Sequence, residues 1–379
     1  MLLTPNQRAA YHQVFKMFTD ETGIRIKTVA RVDKKYKESV YQWLTGDGYS
    51  PDILNWHTSK RLFYFASRKA ILPINEMLKD PEFVGEFKHV LSNVIYEGDL
   101  YAVPTSYYHW GFLYKKSLVN AKGKVPQHWD EFIALCKQLK AEGVTPIGIG
   151  TKNLWPVAAW FDYINLRTNG LEFHQQLLNG KISFFDPRVR QVFSTWKQMI
   201  DSQFFLSNSD ELRWDQVLPL LYRDKVAFNL IGNFATSKIL ETEVEQIGFM
   251  PFPKINDIPR YEEAPMDAFM VSAKTNRVKE SILFLKFIAR EDIQSLLNNG
   301  LGYLSPNIHS KSQGDRFLQQ GAKLLKESQG VSQYFDRDTV PEFDVQAMPI
   351  LVNFLHHPDI DTVTRQLEIT RIKVFKPTN

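Results

Sequence analysis

Aromatic and polar residues stand together where an early apolar strand of the sequence ends. Trp56 and His57 follow the run that ends at Leu54, and Arg61 lies about one helical turn further on. A flat ring offers a large contact area to the apolar face of a cyclic ligand, and charged groups strengthen hydrogen bonds to its hydroxyl groups. We therefore expect these residues to bind a polyhydroxylated molecule. Local packing of Trp56 and a surface ion pair for Arg61 are the alternatives.

The same combination recurs later in the chain, in predicted loops and at predicted helix starts. Trp155 follows the predicted strand TPIGIGT and begins the helix that carries Trp160 and Asp162. Trp214 begins another predicted helix. All four are candidate ligand contacts, although burial in a helix core is the alternative for Trp160 and Asp162.

An aromatic segment at residues 106–110 is predicted to be extended. Side chains alternate along an extended chain, so Tyr108 and Trp110 face one way and Tyr107 and His109 the other. Which set contacts a ligand stays open at this point. We expect at least one of Tyr108 and Trp110 to do so.

Two polar residues complete the candidate site. Asn233 and Asp267 each follow a predicted strand or turn, where a side chain can bond a ligand hydroxyl or cap the turn. Lys60, Arg61 and His57 lie close together in sequence, which would also suit an acidic sugar.

No catalytic or metal-binding pattern accompanies these residues. The sequence contains no G-x-S-x-G, H-E-x-x-H, Walker or dinucleotide-binding glycine pattern, so we expect no catalysis, no cofactor and no metal. A glycosidase would need two carboxyl groups about 5 to 10 Å apart, a geometry that sequence does not reveal. We expect His356 and His357 in a solvated loop. The single cysteine, Cys136, is predicted to be a buried structural thiol.

Composition favours a two-lobed globular protein. The chain has 379 residues, 44% of them hydrophobic and 23% charged, and a single core stops growing at about 250–300 residues. The net charge of +4 is scattered among acids, which does not indicate nucleic-acid binding. No stretch reaches the roughly 18 uninterrupted apolar residues that a membrane helix requires.

The first elements alternate between helix and strand. Periodicity predicts helices over residues 6–22 and 34–45, and strands over residues 24–31 and 50–54. Such repeats predict parallel strands with right-handed crossovers and a ligand beyond the carboxyl ends of the strands. Residues 2–3 leave almost no room for a strand before the first helix, so that strand is vestigial or truncated.

Two extended segments broken by prolines, near Pro104 and at residues 251–253, suggest that the chain leaves a first lobe and later returns. Such paired crossings can act as a hinge. The predicted segments are residues 1–105 and 251–302 for the N-lobe, and residues 106–250 and 303–379 for the C-lobe.

Five ordered blocks resemble the extracellular solute-binding proteins of family 1, the group that includes maltose-binding protein. They are YAVPTSYYHWGFLYKKSL, VPQHWDEFIALCKQLKAEGVTPIGIGTKNLWPVAAWFDYINLR, KVAFNLIGNF, GFMPFP and PMDAFMVSAKT. The resemblance implies an α/β protein with the type II periplasmic-binding-protein fold. We expect each lobe to be a mostly parallel sheet flanked by helices, with the lobes joined by extended hinge crossings.

The resemblance also implies a function. It indicates the substrate-binding protein of a bacterial ATP-binding-cassette carbohydrate importer, which binds a mono- or oligosaccharide between its lobes, closes by hinge bending, and passes the sugar to membrane permease subunits. We expect a monomer in the periplasm or outside the cell, its export signal absent from this chain. The alternative is a sugar sensor that signals to a membrane receptor. In one departure, Phe234 stands where the family commonly has tryptophan.

Overall fold

The chain folds into two compact units. The computed structural model describes residues 5–31, 33–311 and 316–375. Unit 1 comprises residues 1–108 and 265–319, and unit 2 comprises residues 109–264 and 320–379. The predicted segment ends differ from these: residues 251–264 lie in unit 2 and residues 303–319 in unit 1. The strand considered at residues 2–3 lies outside the described residues.

Helices and strands alternate through both units. The α-helices are α1 (Pro5–Thr22), α2 (Asp33–Thr45), α3 (Lys60–Ala66), α4 (Pro81–Phe87), α5 (Lys116–Val119), α6 (Trp129–Ala141), α7 (Ala158–Leu178), α8 (Pro187–Asp201), α9 (Leu218–Tyr222), α10 (Val278–Ala289), α11 (Glu291–Leu301), α12 (Arg316–Glu327), α13 (Phe335–Asp338), α14 (Pro341–His356) and α15 (Ile360–Val374). The strands are β1 (Ile53–His57), β2 (Ile95–Tyr96), β3 (Asp99–Leu100), β4 (Ala102–Tyr107), β5 (Trp110–Lys115), β6 (Thr145–Ile147), β7 (Val226–Gly232), β8 (Ile247–Met250), β9 (Tyr261–Glu263), β10 (Met266–Val271) and β11 (Gly330–Ser332). Three short 3-10 helices carry candidate residues: Trp155–Val157, Trp214–Val217 and Asn233–Lys238.

The main sheet of unit 1 has the order β1-β10-β4, and both strand pairs are antiparallel. The expectation of a mostly parallel sheet is therefore wrong here, because β10 returns from a distant part of the sequence and runs opposite to both neighbours. Residues 24–31 form no regular strand, so that prediction is also wrong. Their side chains are exposed or half-buried, so the alternation does not reflect packing on a core. Pro104 lies inside β4, an edge strand of this sheet, where a missing N–H can be tolerated.

The main sheet of unit 2 has the order β6-β7-β5-β8. Only β6 and β7 pair in parallel, and β5 is antiparallel to both β7 and β8. Every residue of β5 and β7 is buried, so these central strands form the core of the unit and fix the ends from which candidate residues emerge.

Several features outside the sheets match the sequence predictions. Cys136 on α6 is fully buried, and burial raises the pKa of its thiol above the ordinary value. His356 and His357 are exposed, and the following Asp359 caps α15 by accepting a hydrogen bond from the Thr362 N–H at 2.7 Å. Within the described ranges, no helix is both long and apolar enough to cross a membrane.

Candidate functional site

Unit 2 gathers five aromatic side chains from five parts of the sequence into one cluster, which we call the ring cluster. Its members are Trp110, Trp155, Trp214, Phe234 and Tyr334. The Trp110 and Tyr334 rings stack, with centroids 4.5 Å apart. Phe234 lies edge-on to Trp214 at 5.2 Å and 5.8 Å from Trp155. Three of the predicted tryptophans therefore lie together, with two rings that were not predicted as ligand contacts.

The ring cluster has a buried layer and a more exposed one. Trp110 and Tyr334 are 2% and 3% exposed, whereas Trp155, Trp214 and Phe234 are half-buried. The half-exposed rings offer flat apolar surface on which the C–H face of a ring-shaped ligand can stack. The Nζ atom of Lys238 lies 5.5 Å from the centroid of the Trp214 ring and adds a positive charge at this edge.

Two glycines permit the close packing that builds the ring cluster. A Cβ atom on Gly150 would lie 2.5 Å from the Arg213 carbonyl oxygen, so the chain that leads to Trp214 can approach only because residue 150 has no side chain. A Cβ atom on Gly232 would lie 2.4 Å from the Phe234 ring. Backbone hydrogen bonds keep the segment at Gly150 close to the segment before Trp214; the Thr151 N–H, for example, donates to the Ser209 carbonyl at 2.7 Å.

Asn233 links the core sheet to the ring cluster. It is 3% exposed and begins the 3-10 helix that carries Phe234. Its N–H donates to the His109 carbonyl at 2.9 Å, and its carbonyl accepts from the Thr236 hydroxyl at 2.8 Å. These backbone contacts fix the start of the 3-10 helix that carries Phe234, and the Asn233 side chain stays a candidate ligand contact.

Two predicted ligand residues of unit 2 lie instead in its interior. Trp160 is 1% exposed and packs edge-on against Phe112 and Phe205. Asp162 is fully buried and accepts a hydrogen bond from the Phe335 N–H at 2.8 Å. Both lie on α7, whose residues 158–167 are all buried, so a helix start near a strand end did not imply access to a ligand. We leave both out of the proposed site.

Unit 1 holds a second group of candidate residues, the polar cluster, made of His57, Asp267, Arg61 and Tyr41. The register of β1 and β10 sets His57 directly opposite Asp267, and Nδ1 of His57 lies 3.1 Å from Oδ1 of Asp267. Arg61 donates from Nη1 to the Tyr41 hydroxyl at 3.2 Å. The His57 side chain keeps 12% of its surface exposed. The cluster therefore presents imidazole, carboxylate, guanidinium and phenol groups, all of which can bond hydroxyl groups.

Trp56 supports the polar cluster from inside the unit. The ring is 3% exposed, packs against Tyr41 and Phe65, and donates from Nε1 to the Arg61 carbonyl at 3.2 Å. Neighbouring side chains on a strand point to opposite faces, so His57 and Trp56 could not both face a ligand. The local-packing alternative describes Trp56.

Tyr108 and Trp110 fall in different units. Because β4 ends at Tyr107 and β5 begins at Trp110, the chain is not one continuous strand, and alternation does not group these side chains. Tyr108 is 6% exposed and lies against Tyr303 of unit 1 at 5.5 Å. His109 is fully buried edge-on to Phe249, and burial lowers its pKa to about 3, which keeps the ring neutral.

Sequence reasoning did not select Phe234 and Tyr334 of the ring cluster or Tyr41 of the polar cluster as ligand contacts. Tyr334 follows β11, a strand of three residues. A strand this short carries no detectable alternation, so the strand-end argument could not be applied to it.

Comparison with known sequences places these clusters in context. The pattern of the bacterial extracellular solute-binding protein family matches residues 4–295. An uncharacterized ABC transporter extracellular-binding protein of Pyrococcus horikoshii is 25% identical over 278 residues, 70% of this chain and 60% of the relative. The osmoprotective compounds-binding protein GgtB of Synechocystis sp. is 23% identical over 351 residues, 85% of this chain and 79% of the relative. The match thus spans under two thirds of the length of the Pyrococcus relative.

Solved structures share the fold at low sequence identity. The bacterial solute receptor AcbH, described as exclusive for β-D-galactopyranose, has a TM-score of 0.91 at 22% identity, covering 98% of this chain and 97% of that one. A chitin oligosaccharide binding protein has a TM-score of 0.87 at 20% identity, covering 97% and 95%. The predicted two-domain α/β fold of periplasmic solute-binding proteins is confirmed, apart from the strand directions corrected above. With most of its length matched by the family pattern, the chain is a member of the bacterial extracellular solute-binding protein family.

Proposed function

We propose that this protein is the sugar-binding component of an ATP-binding-cassette importer. It binds a mono- or oligosaccharide, leaves it chemically unchanged, and releases it to membrane permease subunits. We further propose that it acts as a monomer in the periplasm or at the outer cell surface. The ring cluster carries this proposal, because its half-exposed rings suit the C–H faces of a pyranose.

The polar cluster supports the proposal with complementary chemistry. Aromatic stacking alone tolerates many flat ligands, whereas hydrogen bonds to charged groups fix the positions of hydroxyls. His57 and Asp267 supply such bonds in unit 1. We propose that the polar cluster contributes hydrogen bonds to sugar binding.

Relatives bearing sugar-binding names also support the proposal. A probable sugar-binding periplasmic protein of Mesorhizobium japonicum is 34% identical over 145 residues, 37% of this chain and 34% of that one. The binding protein RafE has been solved in complex with raffinose. These names guide the choice of ligands to test.

A thermal-shift screen tests the proposed function directly. We expect at least one sugar among galactose, raffinose, chitin and xylan oligosaccharides, and uronates to raise the melting temperature by several degrees. A ligand at about 100 times its Kd stabilises the native state by about 2.7 kcal/mol. Sorbitol is the control, since it has hydroxyl groups but no ring face. A folded protein that responds to no sugar more than to sorbitol would contradict the proposal.

Replacing His57 by alanine is expected to weaken binding of the sugar found in that screen about tenfold or more. The variant loses a hydrogen bond between the sugar and an imidazole that is paired with the Asp267 carboxylate, and hydrogen bonds to charged groups contribute about 1.5–3 kcal/mol. Isothermal titration calorimetry measures the change. His12→Ala, at an exposed position on α1 in the same unit, is the control and should bind normally. Unchanged affinity in His57→Ala would remove the polar cluster from the proposed site.

A further inference from the structure

Unit 2 buries two carboxyl groups against each other beside the ring cluster. Asp162 on α7 and Glu263 at the end of β9 are both fully buried. Their carboxyl groups lie close enough to affect each other's pKa. Two ionised carboxylates can only accept hydrogen bonds, so a hydrogen bond between them requires a proton on one of them.

The surroundings disfavour charge on either group. Oδ1 of Asp162 and both side-chain oxygens of Glu263 have no hydrogen-bond donor among the described residues. Burial raises the pKa of both carboxyls well above the ordinary range, and the acid Asp338 on α13 raises both further. The negative charge of Asp336 also raises the pKa of Asp162, and that of Glu262 raises the pKa of Glu263.

The nearby histidine does not compensate a negative charge. Nε2 of His174 lies 3.8 Å from Oδ1 of Asp162. Asn165 accepts from Asn169 through its oxygen at 2.8 Å, so its amide nitrogen, 3.0 Å from Nδ1 of His174, is the donor in that contact. Nδ1 is then an acceptor and the proton sits on Nε2. Burial lowers the pKa of His174 to about 3, so the ring is neutral.

Two nearby arginines pair with a different acid, Glu262. Nη2 of Arg167 lies 2.6 Å from Oε1 of Glu262, and Nη1 of Arg260 lies 3.2 Å from the same oxygen. The Tyr163 hydroxyl donates to Oε2 of Glu262 at 3.1 Å. Arg337 lies on α13 between Asp336 and Asp338. Glu262 is therefore a compensated anion, in contrast to its sequence neighbour Glu263.

Two contacts connect the residues of the carboxyl pair to the segment that carries Tyr334, one through the carboxyl group of Asp162 and one through the backbone at Glu263. Asp162 accepts from the N–H of Phe335, the residue after Tyr334. Glu263 lies opposite Ser332 in the β9–β11 pair, and the next N–H, that of Ala264, donates to the Ser332 carbonyl at 2.9 Å. We propose that Asp162 and Glu263 share a single proton in the native protein, and that this proton positions Tyr334 in the ring cluster. The consequence for ligand binding rests on the proposed function.

The shared proton makes stability depend on pH with a definite sign. Unfolded carboxyl groups ionise near pH 4, whereas the native pair keeps its proton to higher pH. Above about pH 4 the native pair therefore holds one proton more than the same groups in the unfolded state, and the stability that this proton contributes is lost as the pH rises. The contribution of the pair to the folding equilibrium constant should fall about tenfold per pH unit until the native pair ionises. The buried His109 and His174, whose pKa burial lowers to about 3, contribute a slope of the opposite sign below about pH 6.5.

Urea unfolding between pH 5 and pH 8 tests this proton without any ligand. In Asp162→Asn and Glu263→Gln the native state should bind about one proton fewer than in the wild type, since an amide can donate the missing hydrogen, and the pH slope of each variant should differ from the wild-type slope by that one proton. Asp201→Asn removes an exposed acid at the end of α8 and should keep the wild-type slope. Wild-type slopes in both pair variants would overturn the proposal.

Two further measurements keep the proposal testable if one variant fails to fold. The infrared spectrum of the wild type at neutral pH should contain the carbonyl band of a protonated carboxyl group, and its absence would also overturn the shared proton. Wild-type sugar affinity should fall at the pH where the unfolding slopes show that the native pair ionises, whereas the affinity of Glu263→Gln should not change there. An equal fall in both proteins would overturn the positioning of Tyr334. A protein that binds no sugar at any pH would contradict the proposed function, while the unfolding slopes and the infrared band would still decide the shared proton.

Discussion

Replacing Trp155 by alanine is expected to weaken sugar binding about 30-fold or more, because truncating an aromatic anchor at the centre of a site costs about 2 kcal/mol or more. Trp155 has the most central position among the half-exposed rings, with centroids 5.8 Å from Phe234, 5.9 Å from Trp110 and 6.2 Å from Trp214. Its removal takes away surface on which the sugar can stack, and it also removes the packing contacts that hold the neighbouring rings in place. Calorimetric titration with the sugar found by thermal shift measures the loss.

Trp43→Ala is the matched control for this prediction. Trp43 is also half-buried, but it lies on α2 of unit 1 and contacts Tyr36 rather than the ring cluster. The control should bind the sugar with affinity close to that of the wild type. Equal losses in the two variants would indicate a general effect on the fold. Normal binding by Trp155→Ala would show that the ring cluster does not hold the ligand.

Replacing Gly150 by alanine is expected to lower the free energy of unfolding by about 1–3 kcal/mol, the usual cost of overfilling a packed interior. The added Cβ atom would lie 2.5 Å from the Arg213 carbonyl oxygen and 2.8 Å from that of Leu212. Backbone atoms cannot move aside as a flexible side chain can, so the segment leading to Trp214 must shift. Sugar affinity should fall together with stability, as measured by urea unfolding and calorimetry.

Gly85→Ala provides the contrasting control. Gly85 lies within α4 of unit 1, and a Cβ atom there would meet nothing within 4 Å. Alanine in a helix is favoured over glycine by about 0.5–1 kcal/mol, so this variant should be slightly more stable than the wild type and bind sugar normally. Similar stability changes in the two glycine variants would contradict the close approach described at Gly150.

The local elements were well predicted where periodicity reflected burial. The helix expected at residues 6–22 corresponds to α1, and that at residues 34–45 corresponds to α2. The strand expected at residues 24–31 does not form, because alternation of residue types does not by itself pack a segment on a core. Strand direction was also mispredicted, since β10 joins its sheet from a distant part of the chain.

The candidate site was predicted only in part. Proximity to a strand end selected Trp155, Trp214 and Asn233 as candidate ligand contacts, and the structure places the two tryptophans in one cluster with Asn233 next to its member Phe234. The same argument also selected Trp160, whose ring is in the interior. A strand-end position brings a residue to an edge of the sheet, but the packing of the next helix decides whether its side chain reaches solvent.

The sequence alone determined the family, the two-domain class and the residue types from which a sugar site could be built, since composition, periodicity and ordered blocks are properties of the linear chain. The tertiary structure decided which rings meet, which carboxyls lose their contact with water, and that Tyr334 joins Trp110. These outcomes depend on contacts between residues far apart in sequence. Burial and proton sharing follow from those contacts, because desolvation depends on everything that surrounds a group and not on its neighbours in the chain.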